Sequence, residues 1–409
     1  MSGVRIPPAA LIRSEKIRCR GGTLDESILV VNSTRTCDAL VIGGGIAGVS
    51  LACELASDRT VVLLEAEATL AFHTTGRSAA TLIESYGNLP IRALTTAGRE
   101  FFTEPSDLFT APLATPRGVL HVATTGDSNA ARQLFDEVQT LTPNVELIDG
   151  AEAERLNPLL RPGYTETAVF EPDALDLDVS ELHQGYVRGI LQQGGVIVRS
   201  ARVVRAQRRG SVWEVTDSNS DSYTTPLVID AAGAWCDEVA SECGAEPVGI
   251  RPLRRTIFTV PALDENGGAM PWMIDVGRSF YVKPERFQYL CSPGDETLQP
   301  AGDARPDQLD VARGLDMVNS ATIINARHVR TSWAGLRSFV SDRTPVVGFD
   351  ESADGFFWMA AQGGYGIQIA PSLARFAASV IRHEPVSTDL VTRGFEPSAL
   401  SPSRFRHLP

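Results

Sequence analysis

Gly43, Gly45 and Gly48 stand in the spacing G-x-G-x-x-G, and Glu65 follows 22 residues after the first of them. Glycines so placed can cradle a diphosphate. The first permits a sharp turn out of a strand, the second lets backbone approach the phosphate oxygens, and the third lets a helix lie close to the sheet. The anion then sits on the free N–H groups at the positive end of that helix. Glycines in this spacing are often just a loop, so the flanking elements decide. Ala39 to Ile42 reads as a strand, Ile46, Val49, Leu51 and Leu55 carry helical spacing, and Val61 to Leu64 reads as a second strand ending on Glu65. A carboxylate at that tip is placed to accept hydrogen bonds from an adenosine ribose. Cys37 to Glu67 therefore reads as a dinucleotide-binding strand–helix–strand unit, with Ile46 and Ala47 opening the helix and Ala66 following the carboxylate.

The elements around this unit must be supplied by a chain of 409 residues, beyond the roughly 250–300 at which one core stops growing, so two domains are expected. Hydrophobic content of 43% and charged content of 21% describe an ordinary globular protein. The net charge of −13 argues against a nucleic-acid partner. Only Lys16 and Lys283 are lysines, which argues against Schiff-base chemistry. The six cysteines form no C-x-x-C pair and have no His at ligand spacing, so no metal site is expected, and they read as reduced thiols of a cytoplasmic protein. No apolar run is long enough for an integral membrane span. Residues 1–36 lack a continuous apolar core and read as a flexible N-terminal extension, not a signal peptide.

Along the chain, Phe72 to Tyr86 is rich in small and hydroxylated residues that can line a ligand, or simply form a polar loop with an N-cap. Helices are expected over 91–102, 130–140, 151–156 and 306–319, and over the segment DLDVSELHQGYVRGILQQGG, capped by Asp178 or Ser180 and ended by Gly194 and Gly195. Residues 169–173 read as a break. Ser211 to Val215 and Ser222 to Thr225 read as a hairpin. Leu227 to Asp230 reads as an apolar strand running into a small-residue turn, a second cofactor contact at Ala232, Gly233 and Trp235. Residues 250–331 hold many short strands, among them Gln288 to Cys291. Phe356 to Ala361 reads as a buried strand, followed by a glycine turn and a long helix from Ile367 to His383.

With VIGGGIAG, HTTGRSAA, LHQGYVRGI, DAAGAWCD, SFYVKP, SWAGLRSFV and FFWMAAQGGYGIQ in this order, the chain resembles the D-amino-acid oxidase/glycine oxidase superfamily of FAD enzymes, and within it the D-arginine dehydrogenase branch. The resemblance covers about residues 38–402. It implies an α/β fold of two domains: a discontinuous Rossmann-like FAD-binding domain (37–110, 175–250 and 332–402) and a substrate domain on a mixed, largely antiparallel sheet (111–174 and 251–331). It implies non-covalent FAD at Gly43, Gly45, Gly48 and Glu65. Thr75, Gly76, Arg77, Ser78, Ala79 and Ala80 should run beside the flavin, and Val204 beside the adenosine. Gly363, Gly364, Tyr365, Gly366 and Ile367 should set a helix N-terminus at the N1–C2=O edge of the ring, where reduction gathers negative charge.

The resemblance further implies Arg255 and Arg337 as carboxylate ligands, with Tyr86 and Tyr281 closing over the substrate beside Gly364. Two positions depart from the branch: Thr81 where it has His, and Val119 where it has the Glu that binds a guanidinium. With Trp272 and Ile274 expected to wall the same pocket, a neutral or apolar side chain fits better than D-arginine. Glu84 and Asp275, which could restore a cation site, are expected to face solvent. The expected reaction is hydride transfer from a D-amino acid to flavin N5, giving an imino acid that hydrolyses to a 2-oxo acid and ammonia. No side chain stands out as a general base. The open alternatives are a sarcosine-like or proline-like secondary-amine oxidase, a 2-hydroxy-acid dehydrogenase, and a flavoprotein without turnover. Sarcosine oxidases carry an O2-activating Lys in a strand resembling Gln288 to Cys291. None stands there, which favours a dehydrogenase with an unknown electron acceptor, a quinone or carrier, over O2.

Overall fold

The apolar runs of the sequence assemble, in the computed structural model, into a parallel sheet that draws on three distant parts of the chain; the structure describes residues 34–263, 270–285 and 287–405. Its six strands lie in the order Val196–Val198, Val61–Leu64, Ala39–Ile42, Val228–Asp230, Phe356–Ala360 and Val346–Phe349. All neighbours are parallel except the last pair. Near-continuous apolar strands suit this arrangement because both faces are covered. Helices Ile46–Leu55, Leu89–Thr103, Val179–Gln192 and Gly366–Ile381 close one face around Val41, Leu63, Ile229 and Phe357. A four-stranded sheet and the helix Cys236–Glu242 close the other around Leu40, Val62, Trp213 and Trp358.

The helix termini follow the expected chemistry. Asp178 caps the helix Val179–Gln192 by accepting the Glu181 N–H at 2.8 Å, and Asn88 caps Leu89–Thr103 with Pro90 in the first turn. Two boundaries differ from expectation. Residues 34–36, assigned to the extension, form the strand Thr34–Thr36, which pairs in parallel with Ser222–Thr225; residues 1–33 of that extension lie outside the described residues. Residues 169–171, read as a break, belong to the strand Thr167–Glu171, because Phe170 pairs on both sides and the chain turns only after Glu171.

The second sheet has nine strands and is built around the long strand Arg251–Pro261, which pairs with Thr331–Phe339 along most of its length. On its other side come Gln288–Ser292, Tyr281–Glu285, Trp272–Asp275 and Val119–Ala123. The two-residue period sorts side chains between faces. Phe258, Val282 and Met273 pack behind the sheet with helix Gln308–Ala321, while Ile257, Tyr281 and Trp272 project forward. Among the described residues no helix is long and apolar enough to cross a membrane. Cys37, Cys53, Cys236, Cys243 and Cys291 are free thiols.

Candidate functional site

A cavity of about 1330 Å³ runs from the carboxyl ends of the parallel strands, at Gly43, Glu65 and Trp235, to the forward face of the nine-stranded sheet at Trp272, Tyr281 and Arg337. Its first half is made by backbone. Gly43 leaves its strand at φ +113°, and a β-carbon there would stand 2.4 Å from the Ala231 carbonyl oxygen. Gly48 lies outside the lining and serves packing: its β-carbon would stand 1.9 Å from the Gly43 carbonyl oxygen. Glu65 accepts the N–H of Gly44 at 2.8 Å with one carboxylate oxygen and that of Glu67 at 2.8 Å with the other. Thr75 accepts the Ile46 N–H at 3.0 Å, taking one of the orphan donors that open the helix. A bare turn at a helix start, with a carboxylate at the next strand's tip, is the donor and acceptor set a dinucleotide needs.

Ile46, Ala47, Ala66, Ser78, Ala79, Ala80, Ala232, Gly233 and Trp235 all reach this cavity as expected. Two neighbours, Val204 and Gly76, do not, and a third, Arg77, reaches it with its guanidinium engaged elsewhere. Val204 is 50% exposed and outside the lining, while Arg202 and Val203 face inward; a register shift between Val203 and Arg205 upsets the alternation there. Gly76 makes a tight turn against the Ala71 carbonyl. Arg77 lines the wall, but its guanidinium is spent on the carbonyls of Ala304 and Ala334 and on Asp303 at 2.6 Å, so it ties the two sheets together.

In the second half, Gly363 takes φ +55°, and a β-carbon there would clash at 2.1 Å with the Phe339 ring. Gly364, Gly366 and Ile367 then bring the start of helix Gly366–Ile381 to the cavity. Tyr365 does not line it. That side chain is buried beneath Tyr86, with ring centroids 4.7 Å apart. Gly364 leaves room for the Arg337 guanidinium, which lies 3.0 Å from where a β-carbon would be.

Arg255, Arg337, Tyr86 and Tyr281 do converge at this end, but the two arginines are not equivalent. Arg255 donates to the Asp295 carbonyl at 2.9 Å and to Glu296 at 3.2 Å. Arg337 has no ion pair among the described residues; its Nη1 meets only the Tyr86 hydroxyl, at 3.4 Å. Burial raises the Tyr86 pKa, but Arg337, Arg255 and Arg278 together outweigh it and the phenol ends below its usual value. Burial and the neighbouring Arg337 both push the Arg255 pKa down.

Thr81, Trp272 and Ile274 line the pocket, whereas Val119 is fully buried behind Trp272 and Ile83 and touches no open space. Trp272 is held by Asp176, which accepts its Nε1–H at 3.1 Å and also pairs with Arg117 at 2.8 Å and Lys283 at 3.1 Å. Lys283 stacks over the Trp272 ring at 5.0 Å and does not line the cavity. Glu84 does not face solvent: it is largely buried, pairs with Arg99 at 3.3 Å, and burial raises its pKa. Asp275 spends its carboxylate on Ser279.

Among the residues that escaped the sequence reading are four titratable ones at the substrate end: His121, Arg278, Glu296 and Arg343. His121 sits two residues beyond Val119 on the same strand face, so alternation alone would have pointed to it. Burial, with Arg278 nearby, pushes its pKa down to about 3. Its Nε2 meets the Ser85 hydroxyl at 3.2 Å, and Ser85 and Glu84 donate their N–H groups to Glu171, which burial lifts to about 7. Among the described residues no cluster of His, Cys, Asp or Glu could hold a metal ion.

Comparison with known proteins matches residues 38–380 to the DAO family model, described as FAD dependent oxidoreductase. The chain belongs to this family. Its cofactor is FAD, and the cradle at Gly43, Glu65 and Thr75 fits the adenosine diphosphate half. Dimethylglycine dehydrogenase of Mus musculus is 22% identical over 385 residues, covering 87% of this chain and 43% of that protein. Glycine oxidase of Bacillus licheniformis is 23% identical, covering 87% of this chain and 95% of that one. The solved L-proline dehydrogenase of P. horikoshii superposes with a TM-score of 0.79 at 19% identity, covering 91% of this chain and 98% of that one. The chain spans about half the length of the first curated relatives it matches. In this flavoprotein Glu65→Ala leaves the N–H groups of Gly44 and Glu67 without their acceptor at the tip of the cradle. The FAD dissociation constant is expected to rise about tenfold or more, equivalent to roughly 1.5–3 kcal/mol, read by quenching of flavin fluorescence on titration into apoprotein.

Proposed function

We propose that this flavoprotein oxidises the C–N bond of a small amine bearing a carboxylate, with a D-amino acid as the first choice. The observation that carries the reading is Arg337: a guanidinium inside the cavity, with no ion pair among the described residues, lying against Gly364 at the start of a helix. A planar fork so placed binds a carboxylate bidentately and fixes the position of the adjacent carbon. Tyr86 and Tyr281 flank it and can donate to the same group. When bound, FAD would supply the two-electron acceptor for a hydride from the carbon that bears nitrogen, and water would hydrolyse the resulting imine to a 2-oxo acid and ammonia. The start of helix Gly366–Ile381 favours negative charge gathering beside it.

The D configuration rests on the motif resemblance. A sarcosine-like or proline-like secondary amine is the second reading, supported by the likeness to dimethylglycine dehydrogenase and L-proline dehydrogenase. A 2-hydroxy acid is less favoured. D-arginine itself fits poorly: Val119 is apolar and buried, and Glu296, the carboxylate at this end, is held by Arg343 at 2.8 and 2.9 Å and by Arg255. A cationic side chain would add to a positive cluster.

Amine deprotonation is governed by the same cluster. A substrate ammonium would face Arg255, Arg278 and Arg337, with Tyr86, Tyr281 and neutral His121 around it and one engaged carboxylate, Glu296. Like charges disfavour the protonated form, so the bound amine loses its proton more readily than the free one. His121, held near 3, is too weak a base to be needed.

We further infer a dehydrogenase: no lysine lies in the strand Gln288–Ser292, and Lys283, on the adjacent strand, is tied to Asp176 behind Trp272.

Anaerobic addition of D-amino acids, N-methyl amino acids and hydroxy acids is expected to bleach the flavin with the amines. Bleaching by hydroxy acids alone would overturn the assignment. Arg337→Met should retain FAD while raising the Kd of a carboxylate substrate about a hundredfold, on the order of 2–3 kcal/mol; unchanged affinity would place the acid group elsewhere. The rate of flavin reduction should rise with pH, with its inflection about one unit or more below the pKa of the free amine. An inflection at or above the free value would contradict the electrostatic account. In stopped flow the reduced protein should reoxidise slowly in air, and fast recovery of the oxidised spectrum would establish an oxidase.

A further inference from the structure

The charge balance at the substrate end does not close with one carboxylate. Arg255, Arg278, Arg337 and Arg343 surround it, and Glu296 is the one acidic side chain of that lining. Arg343 grips both oxygens of Glu296, at 2.8 and 2.9 Å, and Arg255 shares one of them. A substrate carboxylate on Arg337 leaves Arg278 still unanswered.

Arg278 sits at the tip of the turn joining strands Trp272–Asp275 and Tyr281–Glu285. The turn is rigidly made. The Asp275 carbonyl accepts the Arg278 N–H at 2.7 Å, and the Asp275 carboxylate accepts the Ser279 N–H at 3.0 Å and its hydroxyl at 2.8 Å. Arg278 itself takes φ +62°, a left-handed conformation that non-glycine residues rarely adopt. The result is a guanidinium suspended 4.9 Å over the Tyr86 ring, whose hydroxyl meets Arg337. One phenol thus lies between two guanidiniums that have no ion pair among the described residues.

A solvated surface arginine is the ordinary alternative. Exposed arginines without an ion pair, such as Arg132 and Arg327, occur elsewhere among the described residues, and Arg278 is exposed as well; it differs from them in lying over the Tyr86 ring at the cavity wall. Arg278 has Asp275 three residues away, yet that carboxylate is turned to Ser279 and the guanidinium is turned to the cavity.

We infer that the substrate is a diacid amine, whose second carboxylate is received by Arg278 at the mouth while Arg337 holds the first. This rests on the amine-oxidation reading and deepens it. It also corrects the neutral or apolar side chain expected from Val119 and Trp272: those residues make the wall, and the mouth is cationic. The second acid can sit on the nitrogen substituent or at the end of the side chain.

Binding to the FAD-loaded protein separates this claim from turnover. Perturbation of the flavin absorbance by malonate and by acetate, neither of which can be oxidised at a C–N bond, is expected to show malonate binding at least about thirtyfold tighter, as charge-assisted pairing of a second carboxylate predicts. In Arg278→Gln the preference should collapse to about threefold or less, and Arg278→Lys should restore part of it. Equal affinity for the two acids, or a preference that survives Arg278→Gln, would overturn the inference. Anaerobic bleaching then locates the second acid: iminodiacetate faster than N-methylglycine puts it on nitrogen, and aspartate faster than alanine puts it on the side chain. Faster bleaching by both monoacids would sink it. If no amine bleaches the flavin while Arg278-dependent malonate binding persists, the diacid site stands and the amine reaction falls.

Discussion

A guanidinium kept from water without a counter-ion is among the costlier things a fold can hold, because the desolvation of the charge is returned only when a carboxylate arrives. Arg337 imposes that constraint here, and much of the neighbourhood can be understood as tolerating it. Tyr86 and Tyr281 turn oxygen atoms toward it, and Gly364 leaves room for its plane. Glu296 stays close enough to soften the field but is engaged by Arg343 and Arg255. Burial works against the charge, but the surrounding oxygens outweigh it and the Arg337 pKa ends above its usual value, so the guanidinium stays charged and is offered to an arriving anion.

The scaffold that bears this cost is made of two sheets joined by a few specific ties. Arg77 reaches from the loop after the second parallel strand to the carbonyls of Ala304 and Ala334, and Thr74 donates to the Leu336 carbonyl at 2.6 Å. Trp333 answers by donating its indole N–H to the Arg77 carbonyl at 3.1 Å. These bonds fix the strand that carries Arg337 relative to the loop that runs along the cavity. Gln368 makes a similar tie on the other side, bonding both the N–H and the carbonyl of Ile83 at 3.3 Å and the Thr95 hydroxyl at 2.9 Å. Positioning of this kind is what a reaction that needs a defined approach of two groups demands.

The nucleotide half of the site was legible because its requirements are local. A turn that tolerates no β-carbon must be glycine, and a parallel strand buried on both faces must be apolar, so Gly43, Gly48 and the runs around them announce themselves. The substrate half is built from pairings between strands far apart in sequence, and there legibility fails in stages. Arg255 and Arg337 were found through motifs, but nothing in the sequence told that Glu296 would occupy one and not the other. Val204, expected beside the adenosine from the resemblance, lies outside the cavity while Arg202 and Val203 line it, beside a register shift in that strand. Tyr365 was placed beside the cofactor by its neighbours in the glycine turn, although its side chain packs under Tyr86. Arg278 went unnoticed because only the left-handed turn at its own position aims it.

The order of strands in the parallel sheet has a consequence for how the protein comes into being. Val228–Asp230 is flanked by Ala39–Ile42 on one side and Phe356–Ala360 on the other, so its partners lie nearly two hundred residues before it and more than a hundred after it. Loops of that size must close before the pairing is rewarded. The sheet under the nucleotide cradle is therefore finished only once Phe356–Ala360 has been made, more than three hundred residues after Ala39–Ile42, and cofactor capture waits for that strand.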